Sequence, residues 1–122
     1  LMNLNDVLNC PFCEIAAGRA QATFVAEWPE TIAILPLKPV VDGHTLVIPR
    51  EHVADFATTP AVSAKTMQRA AELVRWSPVE MNLITSRGPN ATQSVFHLHL
   101  HLVPRSKNDG LALPWYSGRS KH

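Results

Sequence analysis

Alternating polar and apolar positions predict five strands along the chain. The runs "TFVAEW", "TIAILPL" and "HTLVIPR" are rich in β-branched residues and follow one another with short breaks, which predicts three successive strands. "MNLIT" and "VFHLHLHLVPR" predict two more strands around a polar turn that contains Gly88, Pro89 and Asn90. We therefore expect a sheet of about five strands.

Two helices complete the predicted elements. A short amphipathic helix is expected over residues 10 to 17, ending at Gly18, and a longer one between Pro60 and Trp76. The apolar positions of the longer helix recur at i, i+3, i+4 and i+7 and should face the sheet: Met67, Ala70, Ala71 and Val74. The order α-β-β-β-α-β-β predicts an α+β domain with an antiparallel sheet, one long helix and a short N-terminal helix.

Composition narrows the class of protein. The 122 residues carry a net charge of +1 and show neither a linker nor a repeat, so we expect residues 1–122 to form a single domain. Lysine and arginine form no run, which argues against nucleic acid or an anionic membrane as a partner. The apolar runs are too short to span a membrane and the first ten residues do not look like a signal peptide, so we expect a cytoplasmic protein.

Three histidines occupy every second position of the last predicted strand. Side chains alternate between the two faces of a strand, so the leucines of this run should point into the core and the histidines should form a row about 6.5 to 7 Å apart: Leu98, Leu100 and Leu102 on one face, His97, His99 and His101 on the other. Such a row would repel itself if every imidazole were protonated, so each histidine should have a different partner. A half-exposed edge strand with coincidental histidines is the alternative.

Four segments of the sequence resemble one known family. "HLHLHLVPR" resembles the His-x-His-x-His-x-x signature of the histidine triad (HIT) superfamily of nucleotide hydrolases and transferases. "CPFCEIAAGRA", "VVDGHTLVIPREHV" and "MNLITSRGPNATQSVFHLHLH" are similar to three further HIT segments in the same order. The similarity is greatest to zinc-containing HIT-like nucleotide hydrolases. It implies a HIT-like fold with a core at about residues 10–105 and a C-terminal tail at 106–122.

The resemblance implies a catalytic role for several residues. His99, the middle histidine, would attack the α-phosphorus of a nucleotide and form a nucleotidyl-histidine that water hydrolyses. His101 would contact the phosphate oxygens and assist proton transfer to the leaving group, while Gln93 and Ser94 would hold the phosphate. His44 would support the nucleophile or be purely structural. This chemistry needs no organic cofactor.

Two positions depart from the family pattern. Pro36 stands where family members commonly carry an aspartate that binds the ribose hydroxyls, and Ser86 stands where an asparagine usually lies near the scissile phosphate. Both changes predict altered substrate contacts rather than loss of the nucleophile. They also leave open a catalytically weak HIT-like module that binds nucleotides or has a regulatory role.

Two cysteines and two histidines suggest a metal site. Cys10, Cys13, His52 and His97 offer two thiolates at Cys-x-x-Cys spacing and two imidazoles, a ligand set typical of a closed, structural Zn²⁺ site, and zinc-containing HIT proteins use a similar set. The alternatives are a redox pair, two unreactive thiols, or a catalytic zinc held by the triad histidines themselves.

The resemblance also implies how the chain assembles. HIT proteins are commonly homodimers that extend one sheet across the interface, so we expect a homodimer here. The tail of some members reaches toward the partner's active site, and Trp115 and Tyr116 could anchor such a contact or could pack on their own subunit.

Overall fold

A five-stranded antiparallel sheet organises the chain in the computed structural model, which describes residues 9 to 120. In chain order the elements are helix α1 (Pro11–Ala16), strands β1 (Phe24–Glu27), β2 (Thr31–Ile34) and β3 (Thr45–Pro49), helix α2 (Pro60–Val74), strand β4 (Met81–Ile84), a 3-10 turn (Pro89–Ala91) and strand β5 (Leu100–Pro104). The strand order is β1-β2-β3-β5-β4. The predicted α+β class, with one long and one short helix, is confirmed.

Each face of the sheet is covered by one helix. Successive residues of a strand point to opposite faces, and β2 and β3 are buried on both. One core cluster lies beneath α2 and contains Ala33, Val47, Val53, Ala70, Leu98, Leu100 and Leu102. The other lies beneath α1 and contains Cys10, Phe12, Ile32, Ile34, Leu46 and Ile48. Helix α1 is thus packed on the sheet by the segment that carries both cysteines.

The buried face of α2 differs from the predicted one. Met67 is 48% exposed and Ala71 is exposed, whereas Thr66 and Ala70 are fully buried. Thr66 occupies an apolar environment because its hydroxyl donates a 2.8 Å hydrogen bond to the carbonyl of Val62, one turn earlier. The prediction that Met67 and Ala71 face the sheet is therefore wrong, and a threonine lies on the apolar face.

The last strand begins later than predicted. The sequence pattern predicts a start at Val95, but regular pairing begins only at Leu100. His97 and His99 therefore precede the strand, and His101 lies within it. The segment is still extended, and the backbone N–H of Leu98 donates 2.8 Å to the carbonyl of Val53 in a loop. The expected burial of the three alternating leucines is confirmed, since each is at most 4% exposed.

The end of the described chain folds back on itself. The N–H of Gly110 donates to the carbonyl of Gly118 at 3.0 Å, and the two strandlike residues Leu113 and Tyr116 pair across a turn. Gly118 has a φ of +93°, and a Cβ there would lie only 2.6 Å from the carbonyl carbon of Gly110, so this crossing requires glycine. Between residues 9 and 120, no helix combines the length and the hydrophobicity that a membrane span needs.

Candidate active site and metal centre

His99 is held in one tautomer by the backbone. Its Nδ1 lies 2.7 Å from the carbonyl oxygen of His97. A carbonyl can only accept a hydrogen bond, so Nδ1 carries the proton and Nε2 keeps a free lone pair. Phe12 packs edge-on against the His99 ring with centroids 5.0 Å apart, and burial lowers the pKa of His99 below its ordinary value of 6.5. The side chain is therefore a neutral imidazole that lines a cavity and has a free lone pair on Nε2.

His44 and His101 form a directed hydrogen-bonded pair. The backbone N–H of Val40 donates to His44 Nδ1 at 3.1 Å, so the proton of a neutral His44 is on Nε2. That atom lies 3.0 Å from His101 Nδ1 and donates to it, which places the proton of His101 on its own Nε2. Burial and the neighbouring histidines lower the pKa of His101 to about 4. Both histidines are thus neutral in the free protein at neutral pH.

One cavity of about 360 Å³ brings most of the predicted catalytic residues together. Five of the predicted site residues line it: His44, Ser86, Gln93, His99 and His101. Ser94 is exposed and is not among the described residues that line this cavity. Its predicted contact with the phosphate stays a prediction.

Gln93 is engaged with the protein itself. Its side-chain oxygen accepts from the N–H of Gly88 at 2.8 Å, and its amide nitrogen donates to the carbonyls of Ala54 at 2.7 Å and Val95 at 3.2 Å. The backbone N–H of Gln93 donates to the carbonyl of Gly88 at 3.1 Å. Gln93 therefore lines the cavity and closes its loop, and its predicted contact with the substrate stays a prediction.

The cavity also contains a residue that the sequence did not point to. The guanidinium of Arg105 makes a bidentate ion pair with Asp109, with Nε to Oδ2 at 2.7 Å and Nη2 to Oδ1 at 3.0 Å. Hydrogen bonding by Arg105 holds the pKa of Asp109 well below its usual range. The pair fixes residues 110–113, which form a wall of the cavity. A charge pair at i, i+4 just after the last strand was the available signal.

The four predicted metal ligands converge. The candidate ligand atoms of Cys10, Cys13, His52 and His97 all lie within 4.8 Å of one another. His97 Nδ1 is 3.1 Å from His52 Nδ1 and 3.3 Å from Cys10 Sγ, and Cys13 Sγ is 3.2 Å from His52 Nδ1. Tetrahedral zinc with ordinary bond lengths would place such atoms about 3.3 to 3.8 Å apart. The cluster is compatible with Zn²⁺.

His97 connects the cluster to the candidate nucleophile. Its Nε2 donates to the carbonyl of Pro49 at 2.7 Å, which leaves the Nδ1 lone pair for a metal. Its backbone carbonyl accepts the hydrogen bond from His99. A metal bound by His97 would therefore fix the residue that orients His99.

Comparison with known proteins decides the family. A model of the HIT domain matches residues 17–108. The chain belongs to the HIT family. It is 40% identical over 110 residues to an uncharacterized HIT-like protein of Mycoplasma genitalium, a match covering 85% of this chain and 78% of that protein. It is 31% identical to the adenosine 5′-monophosphoramidase of Schizosaccharomyces pombe, covering 90% of this chain and 85% of the relative.

A solved structure supports the same assignment. The crystal structure of a HIT family protein from Bacillus anthracis superposes with a TM-score of 0.78 at 39% identity, covering 89% of this chain and 82% of that one. The family predicted from the four sequence segments is confirmed, and so is the HIT fold.

A second groove in this HIT protein contains the unusual proline. The groove measures about 930 Å³ and lies beside α1, where Pro36 lines it together with Leu35 and Leu37. None of the described residues that line it carries a charge. Phe12 lines the groove and also packs on His99, so the groove adjoins the candidate nucleophile. A carboxylate for ribose hydroxyls is thus missing from the part of the chain that forms this groove.

Proposed function

We propose that this HIT protein is a phosphohydrolase or nucleotidyl transferase that cleaves a P–N or P–O bond at a nucleoside 5′-phosphoryl group. The observation that carries the proposal is the 2.7 Å hydrogen bond from His99 Nδ1 to the carbonyl of His97, because it leaves Nε2 free for attack. The name of the Schizosaccharomyces pombe relative supports a nucleoside phosphoramidate as the substrate class.

The proposed reaction has two steps that use the same residues. In the first, the lone pair of His99 Nε2 forms a bond to phosphorus while the bond to the leaving group breaks, and the leaving nitrogen or oxygen takes both electrons. In the second, water attacks phosphorus and passes a proton to His101, while the bond between phosphorus and His99 Nε2 breaks and releases the nucleoside monophosphate. The developing charge on the phosphoryl oxygens meets the Ser86 hydroxyl and His101 Nε2–H, with further contacts proposed for Ser94 and Gln93.

His101 is the proposed proton donor in the first step. Its pKa of about 4 in the free protein reflects burial and neighbouring histidines, and a bound phosphoryl anion favours the imidazolium form. His101 Nε2 then delivers a proton to the leaving group. In the free protein His44 holds neutral His101 in position through the 3.0 Å hydrogen bond to Nδ1. In the imidazolium form His101 Nδ1–H donates across the same contact, and His44 accepts through Nε2 with its own proton on Nδ1.

The Cys₂His₂ cluster is the proposed site of a structural Zn²⁺. Its closed ligand set of Cys10, Cys13, His52 and His97 leaves no position for water or substrate. The ion would supply rigidity to α1 and to the His97 carbonyl, and the residues of the cavity carry out the reaction.

A homodimer in the cytoplasm completes the proposal, with neither nucleic acid nor a membrane as a partner. Strand β4 is an edge of the sheet, and its residues Leu83 and Ile84 are 37% and 39% exposed. A second copy could pair along this edge. Light scattering after size exclusion should give twice the 13.5 kDa mass of one chain, and a mass of 13.5 kDa would contradict the dimer.

A binding or regulatory module is the second candidate, because Pro36 removes the expected ribose contact. Release of nucleoside monophosphate from adenosine and guanosine phosphoramidates and from a dinucleoside polyphosphate separates the two candidates. We expect release by the wild type, a loss of about a thousandfold or more in His99→Ala, and little change in the exposed control Lys107→Ala. Absence of product with every compound, in folded protein, would favour the binding module.

A further inference from the structure

The walls of the cavity that contains His99 are largely apolar. Six apolar residues line it: Val40, Ile84, Val103, Leu111, Ala112 and Leu113. Among the described residues that line the cavity, Arg105 is the only one with a permanent charge. Whether the cavity accepts an anionic group therefore depends on whether the Arg105 guanidinium is available.

Four of the five N–H donors of Arg105 are already engaged. Nε and Nη2 bind the carboxylate of Asp109, Nη1 donates to Asn82 Oδ1 at 2.7 Å, and Nη2 also donates to the carbonyl of Leu111. Asp109 in turn accepts from the backbone N–H groups of Ser106 at 3.1 Å and Leu111 at 3.0 Å. The charge of Arg105 is thus neutralised inside the protein, and its side chain is fixed by partners on both sides.

In-line displacement places the leaving group opposite the attacking nitrogen. A leaving group directed away from His99 Nε2 stays within this cavity, whose remaining lining includes His101, Arg105 and residues 110–113. His101 gives up its proton to the leaving group, so an anionic substituent in that space would lose water and keep no counter-charge once the proton has moved.

We infer that this cavity selects an uncharged leaving group, an amine or alcohol with an apolar substituent, and discriminates against leaving groups that carry a carboxylate or phosphate. The inference rests on the proposed function and specifies its substrate class. The leaving group receives its proton as described above, and its substituent packs against the apolar wall. The Arg105–Asp109 pair has a positioning role. It fixes residues 110–113 of the wall, and Asp109 neutralises the charge of the Arg105 guanidinium.

Two isosteric substrates test this selection. The 5′-phosphoramidates of phenylalaninamide and phenylalanine, made with the same nucleoside, differ by one negative charge on the leaving group. We expect kcat/KM to be higher for the amide by roughly ten- to hundredfold. A factor of this size corresponds to the penalty for burying a polar group without a hydrogen-bond partner. A ratio near one, or one that favours the carboxylate, would overturn the inference while the proposed function stands. No turnover of either compound would overturn both.

Substitutions that change the charge of the wall provide the second part of the test. Asp109→Asn removes the counter-charge of Arg105 and should bring the ratio of the two kcat/KM values toward one, by about tenfold. Glu72→Gln, which removes a carboxylate from an ion pair with Arg69 on the outer face of α2, should leave the ratio unchanged.

A second variant, which adds a cation to the exposed part of the wall, tests the inference even if Asp109→Asn does not fold. Ala112 is exposed and lines the cavity, so Ala112→Lys adds a positive charge there, and Ala112→Met measures the effect of side-chain length alone. The ratio of kcat/KM for the amide to kcat/KM for the carboxylate should be closer to one in the lysine variant than in the methionine variant. Equal ratios in these two variants would contradict the inference.

Discussion

Replacing Cys13 by serine distinguishes a structural metal site from a catalytic one. Cys13 Sγ lies 3.2 Å from His52 Nδ1 and 3.5 Å from His97 Nδ1, so Cys13→Ser removes a soft ligand from the Cys₂His₂ cluster. If the cluster holds Zn²⁺, the variant loses affinity for it. If instead the triad histidines hold a catalytic Zn²⁺, Cys13→Ser should bind Zn²⁺ with wild-type affinity, whereas His101→Ala should lose that affinity. His101→Ala is therefore the matched control.

The pH dependence of zinc affinity gives the expected magnitude. Burial and the neighbouring Cys10 raise the pKa of the Cys13 thiol to about 12 in the metal-free protein, so at neutral pH this thiol carries a proton that a metal must displace. Each displaced proton makes the apparent Kd fall about tenfold per pH unit, or about 1.4 kcal/mol. The His97 ligand is already deprotonated above pH 7, because burial lowers the pKa of His97 to about 4. A site made only of histidines would therefore show almost no such slope.

Competition against a chromophoric zinc chelator, under reducing conditions and corrected for the chelator's own protonation, measures this slope. The wild-type Kd should fall at least about tenfold between pH 7 and 8, with Cys13 alone supplying that factor. Cys13→Ser should bind far more weakly, with a shallower slope. A wild-type Kd that does not change with pH, or equal affinity in Cys13→Ser, would refute the Cys₂His₂ assignment.

Three further predictions concern stability. Leu98→Ala should lower the free energy of unfolding by about 2 to 5 kcal/mol in urea titrations, because Leu98 is only 1% exposed; a loss well under that range would contradict its place in the core. Gln93→Ala should cost about 1 to 3 kcal/mol by the same assay, since it leaves the Gly88 N–H and the Ala54 carbonyl without their partner; an unchanged urea midpoint would exclude that role. Burial favours neutral His101 in the folded state, so the wild-type urea midpoint should fall as the pH drops from 6.5 toward 4. The midpoint of His101→Asn should fall less over the same range, and equal pH profiles would rule out this contribution.

His97 directly connects the Cys₂His₂ cluster to the candidate nucleophile. Its imidazole contributes to the Cys₂His₂ cluster and its carbonyl orients His99 two residues later. Because the backbone between them is extended and buried, a shift of the imidazole would move the carbonyl as well. A metal bound at the cluster would therefore act on the proposed reaction through the position of His99.

The period-two pattern predicted the site better than it predicted the strand. Leu98 is buried and His99 faces the cavity as alternation requires, although neither residue lies in β5. Alternation follows from an extended backbone, whereas strand boundaries depend on which backbone pairs with it. The N–H of Leu98 donates a hydrogen bond to the carbonyl of Val53 in a loop, and nothing in the local sequence "VFHLHLHLVPR" predicts that partner.

The face of α2 and the Arg105 pair could not be predicted for a different reason. A hydrophobicity scale does not place Thr66 on a core face, because threonine has a polar hydroxyl. That hydroxyl can be buried here only because it donates a hydrogen bond to the Val62 carbonyl. A charge pair such as Arg105 and Asp109 at i, i+4 is usually a solvated surface feature. Its burial beside a cavity depends on the fold-back of residues 110–118, which pairs residues across a turn.

Intact-protein mass spectrometry tests the central claim most directly. The wild type and His99→Ala would be incubated briefly with adenosine and guanosine 5′-phosphoramidates and analysed before the intermediate hydrolyses. The account predicts a mass increase of one nucleotidyl group in the wild type, located on His99 by fragmentation, and no increase in His99→Ala. Turnover without any adduct on the wild type, or the same adduct on His99→Ala, would contradict covalent catalysis by His99.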